Sequence, residues 1–256
     1  MKGIQSIRQR FGLFRSWLIY YAKPFNKARM IRFYRQFIPA GSLCFDIGAH
    51  LGNRIPVFRS LSAHVIAVEP QPSCVEYLNK KFGADPMVEI FPVALGASRG
   101  QADFFLSNAT PTVSTLADSD WRNELNASAR FKSNWDASIR VPVWTIEQLI
   151  EKFGVPDFSK IDVEGFELEV LQGLQQALPC LSFEFFIYSP ERTKLCLSRL
   201  LEIGDYSFNW SIREQHRFQE QDWLPPEKLM EKLLIRQNER FSGDIYARLQ
   251  TLAPLN

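Results

Sequence analysis

Two rhythms of apolar and polar positions run along the chain. Apolar runs of strand length recur at 42–47, 64–68, 88–95, 157–163 and 181–186. Between them apolar residues return every third or fourth position, the spacing of one helix face. Those stretches predict helices over 53–61, 73–82, 146–153, 166–178 and 192–203. Pro56 is tolerated in the first of these because it falls near the start. Thr145 reads as a cap for the helix that follows it. Residues 101–106 alternate and predict a short added strand, antiparallel to its neighbour. Residues 140–144 look extended. Residues 206–210 and 244–249 predict a closing antiparallel pair, with a helical stretch at 227–236 between them. Residues 107–137, rich in Ser, Thr, Asn and Asp, read as a mobile loop or partial helix near the site. Such alternation argues an α/β fold: one doubly wound, mostly parallel, Rossmann-like sheet with a ligand at the carboxyl ends of its strands.

Two more helical stretches precede this pattern. One spans 5–21, with Ile7, Phe11, Phe14, Leu18 and Tyr21 on one face, and Pro24 stops it. The other spans 26–37 and ends before Pro39. Charge sets this leader apart. Residues 1–45 hold nine of the 30 basic residues and none of the 28 acids, so the remainder is net acidic although the chain is only +2. Basic residues interleaved with Phe11, Phe14, Trp17, Tyr20 and Tyr21 suit a membrane surface or an anionic partner. They also suit a helix packed on the domain by its aromatic face. The expected organisation is a basic helical extension, 1–40, and a Rossmann-like domain, 41–256.

No run of eighteen apolar residues predicts a transmembrane helix. Arg15 interrupts the only stretch resembling a signal peptide. Cys44, Cys74, Cys180 and Cys196 form no C-x-x-C pair and no zinc spacing, and read as reduced, mostly buried thiols of a cytoplasmic protein. That protein would be peripheral at the membrane if the leader, residues 1–35, docks there or on a biosynthetic complex. A nucleic-acid partner is not expected, because the chain beyond the leader is acidic.

The chemistry gathers at two turns. The first is Phe45-Asp46-Ile47-Gly48-Ala49-His50-Leu51-Gly52, read with Glu69 at the end of the next apolar run. Strand, glycine turn, helix, strand and terminal acid make a nucleotide-binding half-fold. Glycines let the backbone approach a ligand, and Glu69 can accept hydrogen bonds from both ribose hydroxyls. A dinucleotide fingerprint would need a glycine where His50 stands, and Asp46 would repel a pyrophosphate. A ligand with an ammonium, a sulfonium and a ribose, S-adenosylmethionine, fits better. A dinucleotide and an empty structural half-fold remain the other readings.

The second turn is Lys160-Ile161-Asp162-Val163-Glu164-Gly165-Phe166-Glu167. Strand alternation puts Lys160, Asp162 and Glu164 on one side, near the end where ligands of such sheets bind. The plainer reading is that these acids, Glu167 above all, cap the following helix. Glu184 lies within the apolar run 181–186, where a carboxylate must be paired, protonated or facing a cavity.

Together with Val68-Glu69-Pro70-Gln71-Pro72 and Val93-Ala94-Leu95-Gly96, the two turns resemble the FkbM-type methyltransferases over roughly residues 42–190. His50 stands where that family usually has Asn. The resemblance implies a seven-stranded class I methyltransferase sheet. It implies S-adenosylmethionine as donor, S-adenosylhomocysteine as product, and O-methylation of a hydroxyl on a sugar, glycan or other small-molecule acceptor. Carried onto this chain, the cofactor residues are Asp46, Gly48, Ala49, His50, Gly52, Glu69, Pro70 and Ala94. Asp162 is the residue expected to orient or deprotonate the acceptor, with Lys160 and Glu164 as neighbouring candidates. No spacing demands a metal and none is expected, although Asp162, Glu164 and Glu184 could converge. The other class of function is a non-catalytic binding or assembly protein that docks through its basic helices.

Overall fold

The structure, a computed structural model, describes residues 26–107, 110–128 and 133–250. The expected helix over 5–21 lies outside them, and with it most of the proposed docking leader. The chain enters through α1 (Asn26–Tyr34) and alternates through β1 (Leu43–Ile47), α2 (Ile55–Ser60), β2 (His64–Val68), α3 (Pro72–Phe82) and β3 (Val88–Phe91). An excursion follows: β4 (Ala94–Leu95), β5 (Gly100–Leu106), a short 3-10 turn, α4 (Ser119–Ser128) and β6 (Ala137–Trp144). The main pattern resumes with α5 (Ile146–Phe153), β7 (Phe158–Ile161), α6 (Glu167–Gln172), β8 (Cys180–Phe186) and α7 (Pro190–Ile203). It closes with β9 (Tyr206–Ile212), α8 (Pro226–Ile235) and β10 (Ser242–Leu249). Thr145 caps α5 as expected, in a reciprocal pair with Gln148.

Seven strands form the main sheet in the order β3-β2-β1-β7-β8-β10-β9. β10 alone runs antiparallel, to both β8 and β9. After β1 the chain builds outward through β2 and β3. It then crosses to the other side of β1 to lay down β7. Between β1 and β7 the winding reverses, and an open α/β sheet leaves its ligand crevice at such a point, outside the carboxyl ends of the two strands.

Two expected elements are redrawn. The apolar run 88–95 is not one strand, because Pro92 cannot donate to a ladder. β3 ends at Phe91, and β4 joins a separate three-stranded sheet, β4-β6-β5, in which β5 and β6 pair antiparallel. The helix expected over 166–178 stops at Gln172. There Gly173 lies so close to the Gly96 carbonyl that a side chain would not fit. The expected loop over 107–137 carries the 3-10 turn, α4 and one bridge between Thr115 and Phe105.

α1 is built into the core. Met30, Phe33 and Tyr34, with Phe37 and Ile38 just beyond, are buried against Phe58, Phe158 and Tyr246. Phe37 stacks on Tyr246 at 5.5 Å and on Phe158 at 5.4 Å. Residues 30–38 thus pack into the domain core, while the aromatic residues on which the aromatic-face reading of the leader rested lie outside the described residues. His216 is buried beside Phe33 and Tyr34 of this cluster. All four cysteines are buried and free. No helix among the described residues is long and apolar enough to cross a membrane.

Candidate active site

The first turn is shaped by backbone. At Gly48 φ is +79°, and a side chain there would run into the carbonyl of Asp162. The glycine thus lets the exits of β1 and β7 lie against each other; the close approach is between two turns of the protein. His50 follows with φ of +48°, a left-handed value costly for a residue with a Cβ. That geometry aims the His50 amide at Glu69, whose Oε2 accepts it at 2.8 Å, while Oε1 accepts the Gln71 amide at 2.8 Å. Two backbone donors fix the carboxylate in one orientation. Burial nevertheless pushes Glu69 up to about 7, against the pull of those hydrogen bonds. Burial pushes the His50 imidazole down to about 4, so it is neutral at physiological pH.

The second turn is shaped by side chains. β7 ends at Ile161, and the Asp162 amide adds one more bond, to the Ile47 carbonyl at 2.9 Å. The chain then turns through Glu164 at φ +55° and Gly165 at +91°. Glu167 Oε1 accepts the amides of Val163 at 3.1 Å and Gly165 at 3.2 Å, and Thr115 Oγ1 donates to the Glu164 carbonyl at 2.8 Å. Glu167 thus braces the turn before α6, accepting amides that precede the helix.

An ion network lies beneath. Arg54 Nη2 meets Asp162 Oδ2 at 2.6 Å, and its Nη1 is 4.0 Å from Asp46. Lys160 Nζ donates to Asp244 Oδ1 at 2.7 Å and to the Ile161 carbonyl at 3.2 Å, and it stands 3.6 Å from Asp162 Oδ2. Burial alone would raise Asp162, but Lys160 and Arg54 overcome it and hold the group at about 2. Asp46 has no exposed surface, and burial pushes it up to about 6. Glu164 and Glu184 go well above the ordinary carboxylate range. Burial is the first cause for both; repulsion from Asp162 and Glu167 adds to it, and at Glu184 so does repulsion from Glu164.

Between the two turns is a cavity with about 710 Å³ of empty space, part of it open to solvent. Gly48, His50, Glu69, Pro70, Ala94, Asp162 and Glu164 line it. Asp46, Ala49, Gly52 and Lys160 are buried behind it. Gly52 packs on Leu78 and Phe82 of α3. Lys160 stays beside Asp162, 3.6 Å from its Oδ2, but it is fully buried behind the cavity, and its ammonium also pairs with Asp244 of β10.

Several wall residues had no part in the expected site. Arg54 and Asn53 come from the start of α2, Phe104 from β5, Ser114 from the excursion, and Phe166 from the second turn. Arg54 left a trace: two acids, at 46 and 162, converge with one lysine and call for a second cation. The excursion left none, since its polar composition reads as loop.

Compared with known proteins, residues 46–218 match the family described as the methyltransferase FkbM domain. Hexuronic acid methyltransferase AglP of Haloferax volcanii is 26% identical over 141 residues, 54% of this chain and 52% of that protein. The chain thus spans about half the length of the curated relative it matches. Among solved structures, a precorrin-6y C5,15-methyltransferase from Geobacter metallireducens aligns with a TM-score of 0.46 and 9% identity, covering 88% of this chain and 87% of the other. An O-methyltransferase from Bacillus cereus, in complex with SAH, aligns with a TM-score of 0.42 and 8% identity over 93% and 90%.

Proposed function

The chain belongs to the FkbM methyltransferase family, and on that premise we propose that it methylates a hydroxyl of a sugar, glycan or related small molecule, with S-adenosylmethionine as donor. One observation carries the reading. A single cavity has an oriented carboxylate, Glu69, on one turn and two carboxyl groups, Asp162 and Glu164, on the other. The donor set fits the cofactor. Glu69 has both oxygens aligned by backbone amides and keeps lone pairs for a ribose diol. Val93, Ala94, Leu95 and Phe104 offer an apolar wall for a flat base. Gly48, His50 and Asn53 line the space between, and the acids of the second turn suit a cation.

When bound, S-adenosylmethionine supplies a methyl group already activated on cationic sulfur. The protein must then hold the acceptor in line and take its hydroxyl proton. Asp162, kept ionised by Arg54 and Lys160, is a weak base but a fixed anion, and it orients the acceptor hydroxyl. Glu164, beside it on the cavity wall, is the stronger base once ionised and takes the proton. Lys160 acts from behind by holding Asp162. Asp46, with Arg54, steadies the floor of the methionyl end. The sugar class rests on the likeness to the hexuronic acid methyltransferase. An intact acidic turn facing the cavity favours an enzyme over a non-catalytic binding protein.

A screen with labelled-methyl donor against sugars, sugar acids and glycan fragments tests the reading. Label should move to a hydroxyl of one class and be absent with Asp162→Asn. Tight NADH binding in place of S-adenosylhomocysteine would contradict the donor.

A further inference from the structure

Glu184 is not used by this mechanism, yet it is the third member of a compact group. The nearest carboxylate oxygens of Asp162, Glu164 and Glu184 lie within 4.8 Å of one another. Glu184 enters from β8, opposite Asp244 in the sheet register. Its Oε2 is shut off from water, and its side chain is hydrogen-bonded to the ionised Asp162. Charge is unevenly shared around the group. Arg54 of α2 pairs with Asp162 and Asp46, and Lys160 of β7 pairs with Asp244 and Asp162. Among the described residues no ion pair reaches Glu164 or Glu184. The other groups around them are Glu167 of α6, His50 of the first turn, and Arg192 and Cys196 of α7, which line a small cavity with Glu184. Three mutually repelling carboxyls with cations committed to one of them cannot all be ionised.

We propose that Glu164 and Glu184 form one carboxyl pair that holds a proton in the free protein and releases it to solvent when a cationic methyl donor enters the cavity. The inference rests on the donor site proposed above and deepens it. A positive charge beside the pair favours its ionised form, so the proton leaves on donor binding and the base is armed only when the donor is present. During transfer the pair takes the acceptor's hydroxyl proton as oxygen bonds the methyl carbon. The carbon–sulfur bond breaks with its electrons kept on sulfur. The cation is then gone, and the pair keeps that proton until the next donor binds. The one proton of the net reaction therefore appears at donor binding, not at methyl transfer. Glu184 acts in this through Glu164 and is a positioning residue.

Calorimetry of the full-length protein near pH 7, in buffers of different ionisation enthalpy, counts the protons released on binding. S-adenosylmethionine is cationic at sulfur and S-adenosylhomocysteine is neutral there, while both engage Glu69, so its contribution cancels in the difference. S-adenosylmethionine should release more, by roughly half a proton to one proton per site. Glu184→Gln removes one carboxyl of the pair and the proton it carries, and the difference should fall to roughly a third or less. The difference should also shrink toward acid pH, where the pair stays protonated, and toward alkaline pH, where it is already ionised. That wild-type profile carries the test if Glu184→Gln does not fold. Equal release by the two ligands overturns the pair. So does a difference that survives Glu184→Gln, or release that occurs only after a divalent cation is added. Binding of neither ligand overturns the donor-site reading itself, and the pair's role falls with it.

Discussion

The two turns that face each other across the cavity are built on different principles. At the first turn Glu69 is held by the amides of His50 and Gln71, the first 19 residues away in sequence and the second two. At the second, Asp162 is held by Arg54, 108 residues away, and Lys160 behind it by Asp244, 84 residues away. A carboxylate fixed by local backbone can be removed with little harm to the fold, because the amides that oriented it can turn to water or ligand. A carboxylate fixed by buried, distant charges cannot, since each partner removed leaves another charge uncompensated. Binding and chemistry are therefore expected to separate at the first turn, and chemistry and stability to be entangled at the second.

The largest effect sharpens that contrast. Asp162→Asn keeps the shape of the side chain but removes the fixed anion facing the acceptor. Turnover on a true acceptor should fall by about 10²-fold or more, the usual cost of holding an acceptor out of line. Product assays under saturating donor check this, and retained turnover would make Asp162 structural.

Next comes stability. Lys160 has no exposed surface. Lys160→Met should cost about 3–5 kcal/mol in urea unfolding, because Asp244 is left buried and unpaired. Combining it with Asp244→Leu should restore much of the loss. A single variant as stable as the parent would break the comparison.

The smallest effect belongs to the first turn. Ribose hydroxyls favour the ionised form of Glu69, which stands near 7 in the free protein. Affinity for S-adenosylhomocysteine should be full above that pH and weaken as pH falls through it, by no more than about tenfold per unit. In Glu69→Gln the dependence should flatten while the unfolding midpoint moves little.

The same contrast explains what could be read from the chain. β1, β2, β7 and β8 were legible because they are apolar runs of strand length. Glu69 was legible because it ends the second apolar run, where a nucleotide-binding half-fold keeps its acid. The burial of Lys160 was not legible because its partner, Asp244, lies in the last strand, and local alternation cannot report a contact 84 residues away. β4 was lost because Pro92 divides one apolar run between two sheets. The third wall of the cavity was illegible because Phe104 and Ser114 reach it through a small satellite sheet and a polar excursion with no period of its own.

The central claim is that the first turn holds the donor and the second does the chemistry. Isothermal titration of S-adenosylhomocysteine into the parent, Glu69→Ala and Asp162→Asn tests it most directly. The account predicts a loss of roughly ten- to a hundredfold in affinity for Glu69→Ala, the worth of hydrogen bonds to a charged group. It predicts a change of no more than a few fold for Asp162→Asn. The reverse ranking, or no binding to the parent protein, would contradict it.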